Sequence, residues 1–239
     1  MNETLAIAAA GMGFDTERLQ SIAHNLANVS TTGYKRSILT KQVGMPTFDH
    51  QMQLANIDTV VDVNAIDTRA GALRSTGNPL DLAIEGSGFF EVRTPNGIAY
   101  TRSGEFQLDQ QGQLINAAGF PVMGTNGTIM LTTPMPKIDN QGRIFEKNEQ
   151  IGQIKVVSFS DMSKLSYLGD GLYDAGTTQT TDVQQSNALR QGFVEASNVS
   201  SMHEMVRMIE TLRHFESMQK VVQGMDSIQS SVISKLGQF

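Results

Sequence analysis

The chain has 239 residues, a formal net charge of -6 from 24 acidic and 18 basic side chains, and no cysteine. That balance gives no electrostatic basis for nucleic acid or an anionic lipid surface as the main partner, and the missing thiols exclude disulfides, cysteine nucleophiles and thiolate metal sites. The length is enough to bury a real core in one large domain or two modest ones.

The N-terminus, Met1-Asn2-Glu3, lacks the basic start of a secretory signal, and the apolar stretch from Leu5 to Gly13 is short and interrupted; export without cleavage is the expectation if the protein leaves the cytoplasm. No uninterrupted apolar window reaches the length of about 18 residues that a membrane span requires. Leu5, Met12, Leu19 and Leu26 recur at seven-residue intervals, widened by Ile22 and Ala23 and flanked by Asp15, Glu17, Arg18 and Gln20. This pattern predicts an amphipathic helix over residues 2–28, of about seven turns. Thr31-Thr32-Gly33 should end it, since Gly33 tolerates a left-handed conformation. Lys35, Arg36 and Lys41 read as a solvated basic patch. Residues 37–71 contain Gly44, Pro46 and a polar run, and read as a surface extension or a segment that orders on assembly. Asp58, Asp62 and Asp67 match no calcium-loop spacing and read as solvated loop acids.

The period then changes. Eight glycines fall between Gly86 and Gly127, among short apolar pieces such as Gly88-Phe89-Phe90-Glu91-Val92, which predicts strands and tight turns. Leu108-Asp109-Gln110-Gln111-Gly112-Gln113-Leu114 and Ile138-Asp139-Asn140-Gln141-Gly142-Arg143-Ile144 share one pattern. In each, the aspartate can accept from its own downstream amides while the glycine supplies a positive φ, which makes a hairpin turn. A last strand is expected from Gln153 to Phe159, and the mostly β core is bounded at residues 72–190.

Ser201-Met202-His203-Glu204 has capping-box spacing. Beyond it, Met205, Met208, Leu212, Phe215, Met218, Val222, Met225, Val232 and Leu236 form a stripe at steps of three, four or seven. A run of about nine turns without proline is long for an ordinary packed helix and reads as coiled coil or bundle. The fold class expected is α+β: terminal helices forming a coiled-coil-like assembly domain around a mostly β centre. Two facing stripes would not cover so wide an apolar face, so its surplus is expected on neighbouring subunits, where methionines pack adaptably. The rival is an intramolecular helical cap on a soluble, ligand-binding β domain.

Chemistry is sparse. The histidines are His24, His50, His203 and His214, and no H-E-x-x-H, Walker A or G-x-S-x-G pattern occurs. Gly86-Ser87-Gly88 runs on into strand-like residues rather than a helix, which makes it a poor phosphate loop. No catalytic, metal or cofactor site is expected. Asn28-Val29-Ser30 and Asn198-Val199-Ser200 match each other at the two helix boundaries, as caps.

Four segments carry a resemblance. Asn25-Leu26-Ala27-Asn28-Val29-Ser30-Thr31-Thr32-Gly33-Tyr34-Lys35-Arg36 resembles the N-terminal signature of the bacterial flagellar rod and hook protein family. Leu80 to Val92 resembles the family's P-L-D-x-A-I-x-G-x-G-F-F-x-V strand, Tyr100 to Phe106 its Y-T-R-x-G-x-F hairpin, and Gly192 to Val199 its G-x-x-E-x-S-N-V element. The resemblance implies a non-enzymatic structural subunit of the basal-body rod, polymerising in the axial shaft that carries torque from motor to hook. Its partners would be other copies of itself, other axial proteins of rod and hook, and the flagellar export apparatus; its location would be the periplasmic part of the basal body, reached without a cleaved signal. Residues 1–36 would form an N-terminal assembly helix and turn, and 191–239 a C-terminal one. The assembly residues would be Leu5, Met12, Leu19, Leu26, Asn28, Gly33, Asn198, Met205, Met208, Leu212, Phe215 and Val222. Arg213-His214-Phe215-Glu216 resembles the proximal type more than the distal rod or hook type.

Overall fold

Phe89 and Phe90 are adjacent in the chain and point to opposite faces of one sheet, as the period of two in a strand requires. In the computed structural model, which describes residues 2–42, 61–147, 149–162, 165–176, 178–182 and 188–236, the strand Phe89–Thr94 lies near the middle of a six-stranded antiparallel sheet. The strand order is Ser166–Gly169, Leu172–Asp174, Gly97–Thr101, Phe89–Thr94, Val156–Phe159 and Thr180–Asp182. On one face Phe90 packs with Leu82, Val92, Phe106, Val122 and Ile154. On the other, Phe89 meets Phe159 at 5.3 Å and Tyr173 at 5.7 Å between ring centroids, edge to face. Both faces are covered, which is why Phe89 through Val92 are buried without alternation.

The chain divides into two compact units. The β unit is Asn28–Val199, and among the described residues the strands around its central sheet form five pairs and one three-stranded sheet. Ser37–Gln42 pairs with Val61–Ile66, so parts of the 37–71 segment, read as a surface extension or a segment ordered on assembly, pair as antiparallel strands within the single subunit; residues 43–60, with His50 and Asp58, lie outside the described residues. Leu73–Ser75 pairs with Phe193–Glu195, and Leu82–Glu85 with Ala188–Gln191. The β unit therefore does not close at residue 190: Val194 and Glu195 are among its most deeply buried side chains. The strand expected from Gln153 to Phe159 is broken, with Gln153 ending Glu149–Gln153 and Val156 starting a strand of the central sheet.

Both D-x-x-G turns form as their chemistry dictates. Asp109 Oδ1 accepts the amides of Gln111 and Gln113 at 2.9 and 2.7 Å, and Asp139 Oδ1 those of Gln141 and Arg143, both at 2.9 Å. Gly112 and Gly142 take φ of 81° and 75°. A third turn of the same build lies between them: Asn116 Oδ1 accepts from Ala118 and Phe120 at 3.1 and 2.8 Å, with Gly119 at φ 85°.

The helix unit holds α1, Asn2–Ala27, and α2, Ser201–Leu236. They pack antiparallel. Asn25 Nδ2 donates to Glu204 Oε2 at 3.4 Å, Asp15 Oδ2 meets His214 Nδ1 at 2.6 Å, and Gly11 lies against Met218. Going down α1 from residue 25 to 15 to 11, the partner on α2 climbs from 204 to 214 to 218, in step. Among the described residues no helix is long and apolar enough to cross a membrane.

Candidate functional site

In the helix unit the apolar stripe of α2 resolves into two. Glu204, Met208, Thr211, Phe215, Met218, Val222 and Met225 are buried or half-buried, at alternating steps of four and three. Met202, Met205, Val206, Ile209 and Leu212 form a second, outward stripe, between 43% and 76% exposed. Met205 and Leu212, expected on one face with Met208 and Phe215, belong to this outer stripe. A step of seven keeps residues on one line, and the line 205–212 runs on the outer side of the 208–215 line, with Ile209 and Met202, away from the inward series. On α1 the buried series is Ala8, Asp15, Ile22 and Asn25, while Met12, Leu19 and Leu26 flank it half-buried; Leu5 lies in α1 and its side chain falls outside the description. The seam thus mixes polar groups (Asp15, Asn25, Glu204 and Thr211) with apolar ones, while Met202, Met205, Val206 and Ile209 of α2's first turns face outward.

The first turn of α2 starts one residue before the expected cap. The Ser200 carbonyl accepts the Glu204 amide at 3.0 Å, and Glu204 is buried against Asn25 on α1.

In the β unit the residues of the resemblance converge on one buried charge cluster. Glu195 is 1% exposed. Its Oε1 accepts from Lys35 Nζ at 2.6 Å and the Gly71 amide at 2.7 Å, and its Oε2 accepts from Arg102 Nε at 2.5 Å. The Arg102 guanidinium also donates to the carbonyls of Ile84 at 2.9 Å, Gly86 at 2.6 Å and Gly88. Lys35 Nζ also donates to the Arg69 carbonyl at 2.9 Å, and the Lys35 amide to the Tyr173 hydroxyl at 3.0 Å. Burial opposes ionisation of Glu195, but the nearby Arg102 and Lys35 charges outweigh it and hold the carboxyl below its usual range. Burial pushes the Lys35 ammonium down, offset in part by Glu195.

Gly33 fits this cluster closely. At φ 67° a side chain would be strained, and a Cβ there would lie 2.3 Å from the Arg102 carbonyl carbon and the Ser103 nitrogen. Asn198 is a bridge more than a cap: Oδ1 accepts the Arg36 amide at 2.7 Å, and Nδ2 donates to the Asp67 and Arg69 carbonyls at 2.9 and 3.0 Å. Asn28 Oδ1 accepts from the Thr31 hydroxyl at 3.1 Å. Two further expectations are corrected. Lys35 is buried, not part of a solvated patch, and Asp67 is buried, with Arg69 forked across its carboxylate at 2.5 Å. A charge surrounded by opposite charge and carbonyl oxygen can leave water; composition alone does not reveal such partners.

The ligand-binding alternative meets a different geometry. An open depression of about 430 Å³ on the β unit is lined by Pro79, Met135, Pro136, Lys137, Gln191 and Phe193 among others. Gln191, its central polar side chain, is committed to the walls. It donates to the Pro79 and Pro136 carbonyls, both at 2.7 Å, and accepts from the Ile138 amide at 3.2 Å. Among the described residues no cluster of His, Asp and Glu is arranged to hold a metal ion.

Residues 83–156 match the family described as "Flagellar hook protein FlgE/F/G D1 domain", and residues 190–235 that described as "Flagellar basal body rod FlgEFG protein C-terminal". Over its whole length the chain is similar to the flagellar basal-body rod protein FlgG of Buchnera aphidicola subsp. Schizaphis graminum, at 32% identity over 273 aligned positions with 100% of both chains covered. It is 30% identical to FlgG of Bacillus subtilis, covering 98% of this chain and 99% of the relative. It is 28% identical to the rod protein FlgF of Mesorhizobium japonicum over 242 positions, covering 99% of each.

Proposed function

Since the chain belongs to the flagellar basal-body rod protein family and is a structural subunit of the basal-body rod, we propose that α1 and α2 form a coiled-coil-like assembly element, polymerising with other copies of itself and with other axial proteins of rod and hook. The shaft so formed carries torque from motor to hook. The subunit reaches the periplasmic part of the basal body through the flagellar export apparatus, and its role there is structural rather than catalytic. The proximal type is the one favoured, since the Arg213-His214-Phe215-Glu216 stretch resembles it.

The outward stripe of α2 carries this reading. Met202, Met205, Val206, Ile209 and Leu212 are all more than two-fifths exposed in the single subunit, and burying such surface contributes about 25 cal/mol for each Å² removed from water. A contiguous apolar face of this kind marks an interaction surface. The test is a strain lacking the gene, examined by electron microscopy of purified basal bodies. Shafts should end short of the hook, and complete shafts with normal swimming would overturn the reading.

A further inference from the structure

Two stretches of chain lead out of the β unit: residues 28–36 run back to α1, and residues 195–199 run on to α2. Within the β unit they are bonded to each other. The Gly33 amide donates to the Glu195 carbonyl at 2.7 Å, the Asn198 amide to the Tyr34 carbonyl at 3.4 Å, and the Arg36 amide to Asn198 Oδ1 at 2.7 Å. The Glu195 carboxylate reinforces this crossing with Lys35 from the first stretch, and Arg102 ties the same carboxylate to the Ile84–Gly88 bend beside the central sheet. Three side chains from three distant parts of the sequence are thereby committed to one point.

A buried ion pair is a weak source of stability, because desolvating both partners offsets most of their attraction. Its stronger effect is on arrangement. Separating the two stretches would leave Lys35 and Glu195 each short of a partner in a place water does not reach, so alternative arrangements of the ends are strongly disfavoured.

We propose that Glu195 is a positioning residue for assembly: with Lys35 and Arg102 it locks the two ends of the β unit to each other, fixing the pair of points from which the chain passes to α1 and α2. This rests on the rod-subunit reading and adds to it a cause for the charged residues in three of the four signature segments.

The test uses the full chain with Glu195→Gln, and Lys35→Met as a milder second variant that leaves the Arg102 pair in place. Residue-resolved amide exchange should rise by at least about tenfold more at Gly33, Arg36 and Gly71, whose amides are bonded in or beside the lock, than at Leu114, Val122 and Ile154 in the sheet-side core. A strain carrying either variant should export the subunit at the normal level and lose swimming. An equal rise at both sets of amides would overturn the proposal, since it would show general destabilisation. Loosened ends with undiminished swimming would also overturn it. Should Glu195→Gln fail to fold, Lys35→Met read in the same two ways decides. Failure of the rod reading itself looks different: a strain lacking the gene would then swim normally, whatever the exchange contrast.

Discussion

Arg102 and Glu195 stand 93 positions apart in the chain and meet at 2.5 Å, with 3% and 1% of their side chains exposed. The guanidinium has five donors in a fixed plane, and here they divide between a carboxylate and three backbone carbonyls. Lysine in that place could not satisfy both. The signature segments of this chain are thus tertiary ties: Gly33 makes room against the Arg102 backbone, the Ile84–Gly88 bend supplies acceptors, and Glu195 closes the set.

The lock gives acid stability a defined shape. Glu195 ionises below its ordinary value near 4.5 when folded, so above that value its contribution is fully present. As pH falls toward the folded value, the unfolded chain takes up a proton that the folded chain does not, and stability drops. Asp67, held down by Arg69, adds in the same direction. Urea midpoints of the full chain should stay level near neutrality and fall below about pH 4.5. Glu195→Gln should cost about 3–5 kcal/mol at pH 7 and flatten the acid limb. Lys35→Met should cost less, because burial already disfavours that ammonium. An acid limb as steep in Glu195→Gln as in the parent would refute the assignment.

Fragment boundaries follow from the same residues. A fragment of residues 72–190 keeps Arg102 but lacks Lys35, Val194 and Glu195, and Leu73–Ser75 loses its paired strand. It would leave a cation without its carboxylate in the interior. Residues 28–199 contain every partner. Calorimetry should give one cooperative transition for 28–199 and a broad or lower one for 72–190. Equal melting temperatures would show that the lock adds nothing to folding of the β unit.

What the sequence revealed and what it hid have physical causes. Local chemistry was legible: the Asp109 and Asp139 turns need only a side-chain acceptor and a glycine three residues on, and both were predicted. The Asn116 turn was missed because only aspartate was sought, although an amide oxygen accepts as well; the signal, Asn-x-x-Gly, is in the chain. Period located both helices, yet Met205 and Met208 were assigned one face, since steps of three, four and seven cannot by themselves distinguish one wide stripe from two. The lock was hidden because a lysine, an arginine and a glutamate far apart each read as solvated until their partners are known. The hint available was that each sits inside a signature segment, among glycines and small residues that bring backbones close.

The three turns allow a graded test. Gly112 and Gly119 have nearly equal φ, 81° and 85°, but a Cβ at Gly112 would lie 2.5 Å from the Leu131 carbonyl oxygen, whereas nothing lies within 4 Å at Gly119. Gly119→Ala should cost about 1–2 kcal/mol of backbone strain, and Gly112→Ala should cost more, by displacement of the Leu131 backbone. Asn116→Ala, which orphans two amides, should cost about 1–3 kcal/mol. Denaturant unfolding of the three variants decides it, and equal costs for both glycines would refute the packing difference.

The sharpest separation of folding from assembly lies on α2. Ile209 is 52% exposed on the outward stripe, while Phe215 is half-buried on the stripe that meets α1. An aspartate at 209 stays in water in the free subunit, so Ile209→Asp should leave helicity and melting within about 0.5 kcal/mol of the parent. If that face is covered in the shaft, the same carboxylate must lose its water without a partner, which strongly disfavours incorporation. Export should continue and swimming should fail. Phe215→Asp places its charge in the seam beside Asp15 and His214, and should lower helicity of the purified subunit as well as abolish swimming. Gln219→Asp, on an exposed polar position, should do neither. The measurements are circular dichroism of the purified chains, subunit level in the periplasm and swimming of the complemented strain. Normal swimming with Ile209→Asp would remove the outward stripe from assembly. A lowered melt for that variant would instead show the stripe to be covered already within the single chain, as the helical-cap alternative requires.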